Sequence, residues 1–385
     1  MFTKIALPVL VILVLVLSAC AGIAPTLPAV PTNTGSVATQ AVPTATFPPA
    51  TSTTAPTATP TTAVTAPVAT VAPPTTNPPG PQASPSAANY IDDRSTASQV
   101  IVSYYNAVNR REYSRAYSYY TTPSTALGSF TNFANGYANT TSVDLVFGQI
   151  TSDTSMSQTF FTVPVILKAT TTNNAHTNYA ACYIVHQANP SVFSGPGFQP
   201  MGIDRGGAKT LAGGAVDSAA LATACTSFPT GPNPVAVGAE SRDISKNNFI
   251  DNRGGPIEAV SSLLNAINLK QFSRAYSYFE TPATFPGSFD AYAAGYANTE
   301  AITATFGQVQ SQGAAGSIFY QVPIGMKATT TSNTTQTFVG CYTLRLAQPA
   351  NQTVPPFRPL SIVSGKFNPV DNNADINSML PTACQ

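Results

Sequence analysis

The sequence predicts an α+β protein: two tandem copies of one unit, each with helices before antiparallel strands, behind a long uncharged lead segment. Three observations predict it. Residues 92–225 slide onto 251–384 at a constant offset of 159 with no gap, and roughly 51 of 134 positions are identical. Each copy opens on apolar stripes of helical period and then switches to period two. Residues 21–88 carry Thr, Pro, Ala, Val and Ser but no charged residue.

The repeat sets the architecture. The hexapeptide Ser-Arg-Ala-Tyr-Ser-Tyr occupies 114–119 and again 273–278. Gly-Tyr-Ala-Asn-Thr recurs at 136–140 and 295–299, Phe-Gly-Gln at 147–149 and 306–308, and Thr-Ala-Cys at 223–225 and 382–384. A repeat of this length is a domain, not a solenoid unit. Segment 226–250 is the linker.

Helix positions follow from spacing. Val100, Tyr104, Ala107 and Val108 fall on one face of a helix over 96–110, and Val260, Leu263, Leu264 and Ile267 do so over 256–269. A second helix puts Tyr113, Ala116, Tyr117 and Tyr120 on one face, matched by Phe272, Ala275, Tyr276 and Phe279, with Pro123 and Pro282 as stops. Ala116 and Tyr117 pack inward, and Arg115 braces the helix. A third carries Phe130, Phe133 and Tyr137, or Phe289, Tyr292 and Tyr296. Val143, Leu145 and Phe147 then alternate with polar neighbours, as do Ile302, Ala304 and Phe306. Long strands follow near 158–171, 177–187, 317–330 and 336–346. Pro164 and Pro323 predict a bulge or an edge inside the first of each pair.

The first 20 residues place the protein. Lys4 precedes an apolar run, Ile5–Leu17, short for a membrane span and suited to a signal peptide. Leu17-Ser18-Ala19-Cys20 resembles the lipobox of bacterial lipoproteins, in which the Cys is acylated and becomes the new N-terminus. That resemblance implies a lipid anchor at Cys20 on the extracytoplasmic side of a bacterial cell membrane. The lead segment reads as a disordered stalk, reaching roughly 200 Å at full extension. Its Ser, Thr and Pro suit an O-glycosylated stalk or a plain spacer. The chain thus divides into a signal peptide (1–19), lipidated Cys20 with the stalk (20–88), a first domain (89–225), the linker (226–250) and a second domain (251–385).

Only 9% of residues are charged and the formal net charge is +1. Such a chain lacks the basic footprint of a nucleic-acid binder. The four remaining cysteines obey the repeat, which favours Cys182–Cys225 and Cys341–Cys384, each closing a loop worth about 4 kcal/mol. Buried free thiols and a zinc site are the alternatives.

The string Val-Ile-Val-Ser-Tyr-Tyr-Asn-Ala-Val-Asn-Arg-Arg-Glu-Tyr-Ser-Arg-Ala-Tyr from 100 to 117, then Gly136–Thr140 and strands, resembles the nuclear-transport-factor-2-like superfamily. Residues 261–282 of the second copy resemble it equally. That superfamily includes ketosteroid isomerases, polyketide cyclases and extracytoplasmic accessory domains. The resemblance implies a curved antiparallel sheet wrapped around helices, forming a cone with a pocket. It also implies an Asp base with Tyr or acid donors. Here Asp144 with Tyr117 or Tyr137 is the one arrangement available, and the second copy has Thr303 in place of Asp144.

Ionisable residues shared by both copies are Asp92/Asp251, Arg94/Arg253, Arg115/Arg274 and Lys168/Lys327, and none forms a carboxylate pair suited to acid–base work. Asp92 with Arg94 reads as a local ion pair. His176 and His186 exist in the first copy alone and read as strand residues. The shared aromatics Tyr117, Tyr137, Phe147, Tyr183, Tyr276, Tyr296, Phe306 and Tyr342 are either core or the lining of a ligand pocket. The sequence therefore suggests a non-catalytic surface lipoprotein without cofactor or metal, binding an envelope protein, a wall polymer or a small apolar ligand. An isomerase- or cyclase-like enzyme with one active copy is the alternative, and a structural envelope spacer is another.

Overall fold

The computed structural model describes residues 82–83, 85–212, 218–228, 234–237 and 248–385. The signal peptide, Cys20 and nearly all of the stalk lie outside the described residues. β1 (Gln82–Ala83) lies inside the segment read as stalk and pairs with a strand of the first copy, whose elements are α1 (Ala97–Asn109), α2 (Tyr113–Tyr117), α3 (Pro123–Leu127), α4 (Phe130–Gly136), β2 (Thr140–Phe147), β3 (Thr151–Ser155), β4 (Gln158–Thr171), β5 (His176–Ala188), β6 (Gly202–Thr210) and α5 (Ser218–Thr223). The linker adds β7 (Val235–Ala236). The second copy has α6 (Pro256–Asn268), α7 (Phe272–Tyr276), α8 (Phe289–Gly295), β8 (Thr299–Phe306), β9 (Gln310–Ala314), β10 (Ser317–Thr330), β11 (Thr335–Ala347), β12 (Ser361–Val370) and α9 (Ile376–Met379). From β2 to β5 each strand reappears at the same offset of 159.

This is an α+β fold with two antiparallel sheets. In the first, β4 pairs with β2 and then β3 along one edge and with β5 along the other, and β5 pairs with β6. In the second, β10 pairs with β8 and β9 on one side and β11 on the other, and β11 pairs with β12. In each copy the first helices, α1–α4 and α6–α8, precede that copy's strands, and α1 and α6 bury their stripes against its sheet, while α5 and α9 follow the last strand.

α1 starts where Thr96 caps it, the Oγ1 accepting from the Gln99 N–H at 3.1 Å. Its stripe is buried as the period requires: Val100, Tyr104, Ala107 and Val108 are at most 1% exposed. In α6 Pro256 opens the helix, and Val260, Leu263, Leu264 and Ile267 are buried. Each such Leu or Ile stabilises the core by roughly 2 kcal/mol.

Two local expectations are corrected. The second helix ends at Tyr117 rather than reaching Tyr120, which instead bridges to Ile203 at the start of β6. Pro123 then opens α3, because proline lacks the N–H that a first helical residue leaves unpaired anyway. Pro164 lies neither at a bulge nor on an edge strand. Its C=O accepts from Gly148 N–H at 2.8 Å, so its N-side faces the gap where β2 hands over to β3. No donor is missed there. A Cβ on Gly148 would meet Pro164 at 3.0 Å, and one on Gly307 would meet Pro323 at 2.9 Å. Both copies of Phe-Gly-Gln need glycine for this close approach.

The two copies meet through their lead-in segments. Asp93 and Asn252 form an antiparallel bridge. Arg94 N–H donates to Asp251 C=O and Arg253 N–H donates to Asp92 C=O, both at 2.6 Å. Asp251 N–H donates to Ser95 Oγ at 3.0 Å.

Candidate functional site

The repeated hexapeptide builds a buried polar hub in each copy. Arg115 is 1% exposed. Its guanidinium donates to Glu112 Oε2 at 2.7 Å, Asn106 Oδ1 at 2.8 Å and Ile91 C=O at 2.5 Å. It also stacks 4.6 Å from the Tyr90 ring. One side chain thereby ties α2 to α1 and to the lead-in segment. Arg274 repeats this with Gln271, Asn265 and Ile250 C=O, over Phe249. Burial works against the charge of both. In Arg115 the Tyr119, Tyr90, Glu112 and Asp92 oxygens outweigh it, and the pKa rises. Arg274 has Gln271 where Arg115 has a carboxylate, and its pKa falls.

Tyr119, the last residue of the hexapeptide, donates to Asp92 Oδ1 at 2.7 Å, and Tyr278 donates to Asp251 Oδ1 at the same distance. Arg94 lies 4.3 Å from the Tyr119 ring and 4.0 Å from Asp92, and Arg253 mirrors it. The expected Asp–Arg pair is present, loose and built into a larger network. Tyr90 O–H donates to Asp92 Oδ2 at 3.2 Å. Phe249 stands at the matching place in the second copy, and Asp251 Oδ2 is buried without a partner among the described residues.

Inside the first copy six aromatic rings fill the space between helices and sheet. Tyr104 touches Tyr105, Tyr120, Phe133, Tyr137 and Tyr183 with centroids 4.8, 5.7, 6.5, 6.5 and 6.4 Å away. The hydroxyls consume one another: Tyr104 meets Tyr137 at 2.8 Å, and Tyr105 meets Tyr183 at 2.5 Å. Burial first, and neighbouring tyrosines second, push Tyr104, Tyr105 and Tyr183 above the usual range. In the second copy Leu263, Leu264 and Phe279 replace Tyr104, Tyr105 and Tyr120. Tyr292 gains a hydroxyl over Phe133, and that oxygen is buried with no partner among the described residues.

All eight shared aromatics belong to the two cores. Tyr117 and Tyr276 are buried, and their hydroxyls donate to Gly128 C=O and Gly287 C=O at 2.6 Å. Phe147, Tyr183 and Tyr342 are buried too, while Tyr137, Tyr296 and Phe306 are half-buried. Spacing did not single out Tyr105 or Glu112. The contrast between copies at 104, 105 and 120 was the available signal.

The catalytic arrangement Asp144, Tyr117 and Tyr137 does not assemble. Val143, Leu145 and Phe147 point into the core, so Asp144 alternates to the other face of β2, beside Lys168 on β4. Tyr117 and Tyr137 lie on the inner side. His176 is exposed and shares a hydrogen bond with Thr170 Oγ1 at 3.1 Å. His186 stacks on Phe160 at 4.7 Å and bonds to Gln158 Oε1. No three His, Cys, Asp or Glu gather into a metal-holding group among the described residues.

Both disulfides form within their own copies, Cys182–Cys225 and Cys341–Cys384, each with Cα atoms 5.0 Å apart. Next to the second lies a pocket of about 430 Å³. Its wall carries the side-chain amides of Gln308, Gln310, Gln321, Asn377 and Gln385. No helix among the described residues is long and apolar enough to cross a membrane.

No protein-family model, curated protein or solved structure matches this chain.

Proposed function

We propose that the protein is a lipid-anchored, extracytoplasmic binding protein of the bacterial envelope with no catalytic role. Its two copies are nuclear-transport-factor-2-like cone domains, carried on an uncharged stalk from acylated Cys20. The observation that carries the non-catalytic reading is the filled interior of the first copy. Six rings occupy the place where a substrate would sit, and four tyrosine hydroxyls are spent on each other. Asp144 on the outer face speaks against the isomerase-like alternative. The two disulfides suit an oxidising compartment. The apolar run before Cys20 supports the anchor.

Metabolic labelling with an alkyne fatty acid tests the anchor. The full chain takes up label and partitions into detergent, and Cys20→Ala does neither. An unlabelled wild-type protein recovered in the aqueous phase overturns the reading.

A further inference from the structure

The two copies differ in what covers the β3 edge of the sheet. In the first, β3 is not the last strand: the linker strand β7 lies antiparallel outside it, Ala236 opposite Thr151 and Val235 opposite Ser152. Val237 N–H donates to Ile150 C=O at 3.1 Å. Gln149 Nε2 donates to Ile150 C=O at 2.9 Å and reaches Val237 C=O at 3.4 Å, clamping the added strand.

In the second copy β9 takes the place of β3 and, among the described residues, pairs with β10 alone. All five of its residues are exposed, against two of five in β3. Proteins usually blunt such an edge with charge, proline or a bulge. β9 reads Gln-Ser-Gln-Gly-Ala and has no charge and no proline. Gln308, the counterpart of Gln149, is exposed and has no hydrogen-bond partner among the described residues. The amide-lined pocket opens beside it.

We infer that the outer edge of β9 is a strand-addition site for a partner protein, which supplies an extended, uncharged segment of small apolar residues. The inference names the partner class for the binding role proposed above and rests on that reading. The first copy supplies the template, since a Val-Ala-Val segment covers the same edge there. Alternation along an antiparallel ladder sets the contacts. Ile150 and Ser152 direct their backbone groups toward β7, so Val309 and Ser311 direct theirs outward. A segment pairing with them would lie under Gln308, with side chains toward Gln310 and Gln321. A polymer without a repeating N–H and C=O cannot make this ladder. A second copy of the chain is disfavoured as occupant, because its own Val235–Ala236 is already paired.

The test uses the full chain in detergent and a fluorescent peptide with the sequence of residues 231–240. Anisotropy reports binding, and hydrogen exchange locates it. The expected result is saturable binding with protection at 309–311. Ser311→Pro, which removes an outward N–H, weakens it by about tenfold, as does N-methylation of the peptide at the ladder position. Gln308→Ala, on an exposed side chain, weakens it by a few fold and keeps the test valid if Ser311→Pro misfolds. Absence of binding, or binding unaffected by all three changes, overturns the inference. Dimerisation that the peptide dissolves also overturns it, in favour of a second copy. The same preparation is checked for the fatty-acid label. Labelled protein that ignores the peptide sinks only the strand-addition site, while unlabelled protein that binds it sinks only the anchored-protein reading.

Discussion

Asp93 and Asn252 are counterparts at the offset of 159, and they are also each other's partners. They form the bridge between the copies, and Asn252 Nδ2 donates to Asp93 Oδ2 at 3.3 Å. Each therefore sits on a local two-fold axis, where a residue meets its own equivalent. The flanking bonds, Arg94 to Asp251 and Arg253 to Asp92, exchange under the same operation. A symmetric Asp–Asp contact would place two carboxylates together, one of them buried, and Asn252 avoids it.

Asn252→Asp consequently destabilises the described unit by about 2 kcal/mol at pH 7. The loss shrinks as pH falls through the carboxylate range near 4, where one group of the pair takes up a proton. Adding Asp93→Asn restores stability. Urea melts of the three variants at two pH values check this, and an equal loss at both pH values refutes it.

Arg115→Lys is expected to cost about 3 kcal/mol. An ammonium cannot reach Glu112, Asn106 and the Ile91 carbonyl together, and Glu112 stays buried beside it. Chemical denaturation measures the change, and a loss below roughly 1 kcal/mol would show that the hub is dispensable.

Phe249→Tyr is expected to stabilise by about 1 kcal/mol. It supplies the donor that Tyr90 gives Asp92 and that Asp251 Oδ2 lacks. Tyr292→Phe removes an unpaired buried hydroxyl, matches Phe133, and leaves stability unchanged or raises it. Thermal melts of the pair decide, and a clear drop in either contradicts the assignment.

Alkaline pH acts on the tyrosine interior. Burial raises the folded pKa of Tyr104, Tyr105 and Tyr183 above the unfolded value of 10.0. Their contribution is fully present below pH 10 and is lost as pH rises above it, because the unfolded chain releases protons first. Absorbance at the tyrosinate band should stay low until the fold collapses, then rise in one step. Gradual ionisation with tertiary structure intact would mean that the rings are accessible.

Reduction tests the staples. Cys384→Ser opens a loop between cysteines 43 residues apart and is expected to cost about 4 kcal/mol, less any strain relieved. Denaturant midpoints with and without reductant measure it.

Residue order alone determined a good deal. The offset of 159 carried the repetition of one unit and favoured the disulfide pairing, while the switch from helical period to alternation carried the element order and the class of fold. The strand limits came within one residue of 158–171, 176–188, 317–330 and 335–347, because alternation and turn residues are local signals. Apolar period marked the buried faces of α1 and α6, since burial of one face is what creates a period. It could not say what each face meets. Only the tertiary structure decided that Asp144 turns away from Tyr117 and Tyr137. Only it brought five tyrosines into one interior and made Asp93 and Asn252 neighbours. Those outcomes depend on contacts between residues far apart in sequence, and polar contacts of that kind leave no periodic trace. The open edge of β9 is of the same type: a strand's sequence shows that it can pair, while its surroundings decide whether it has.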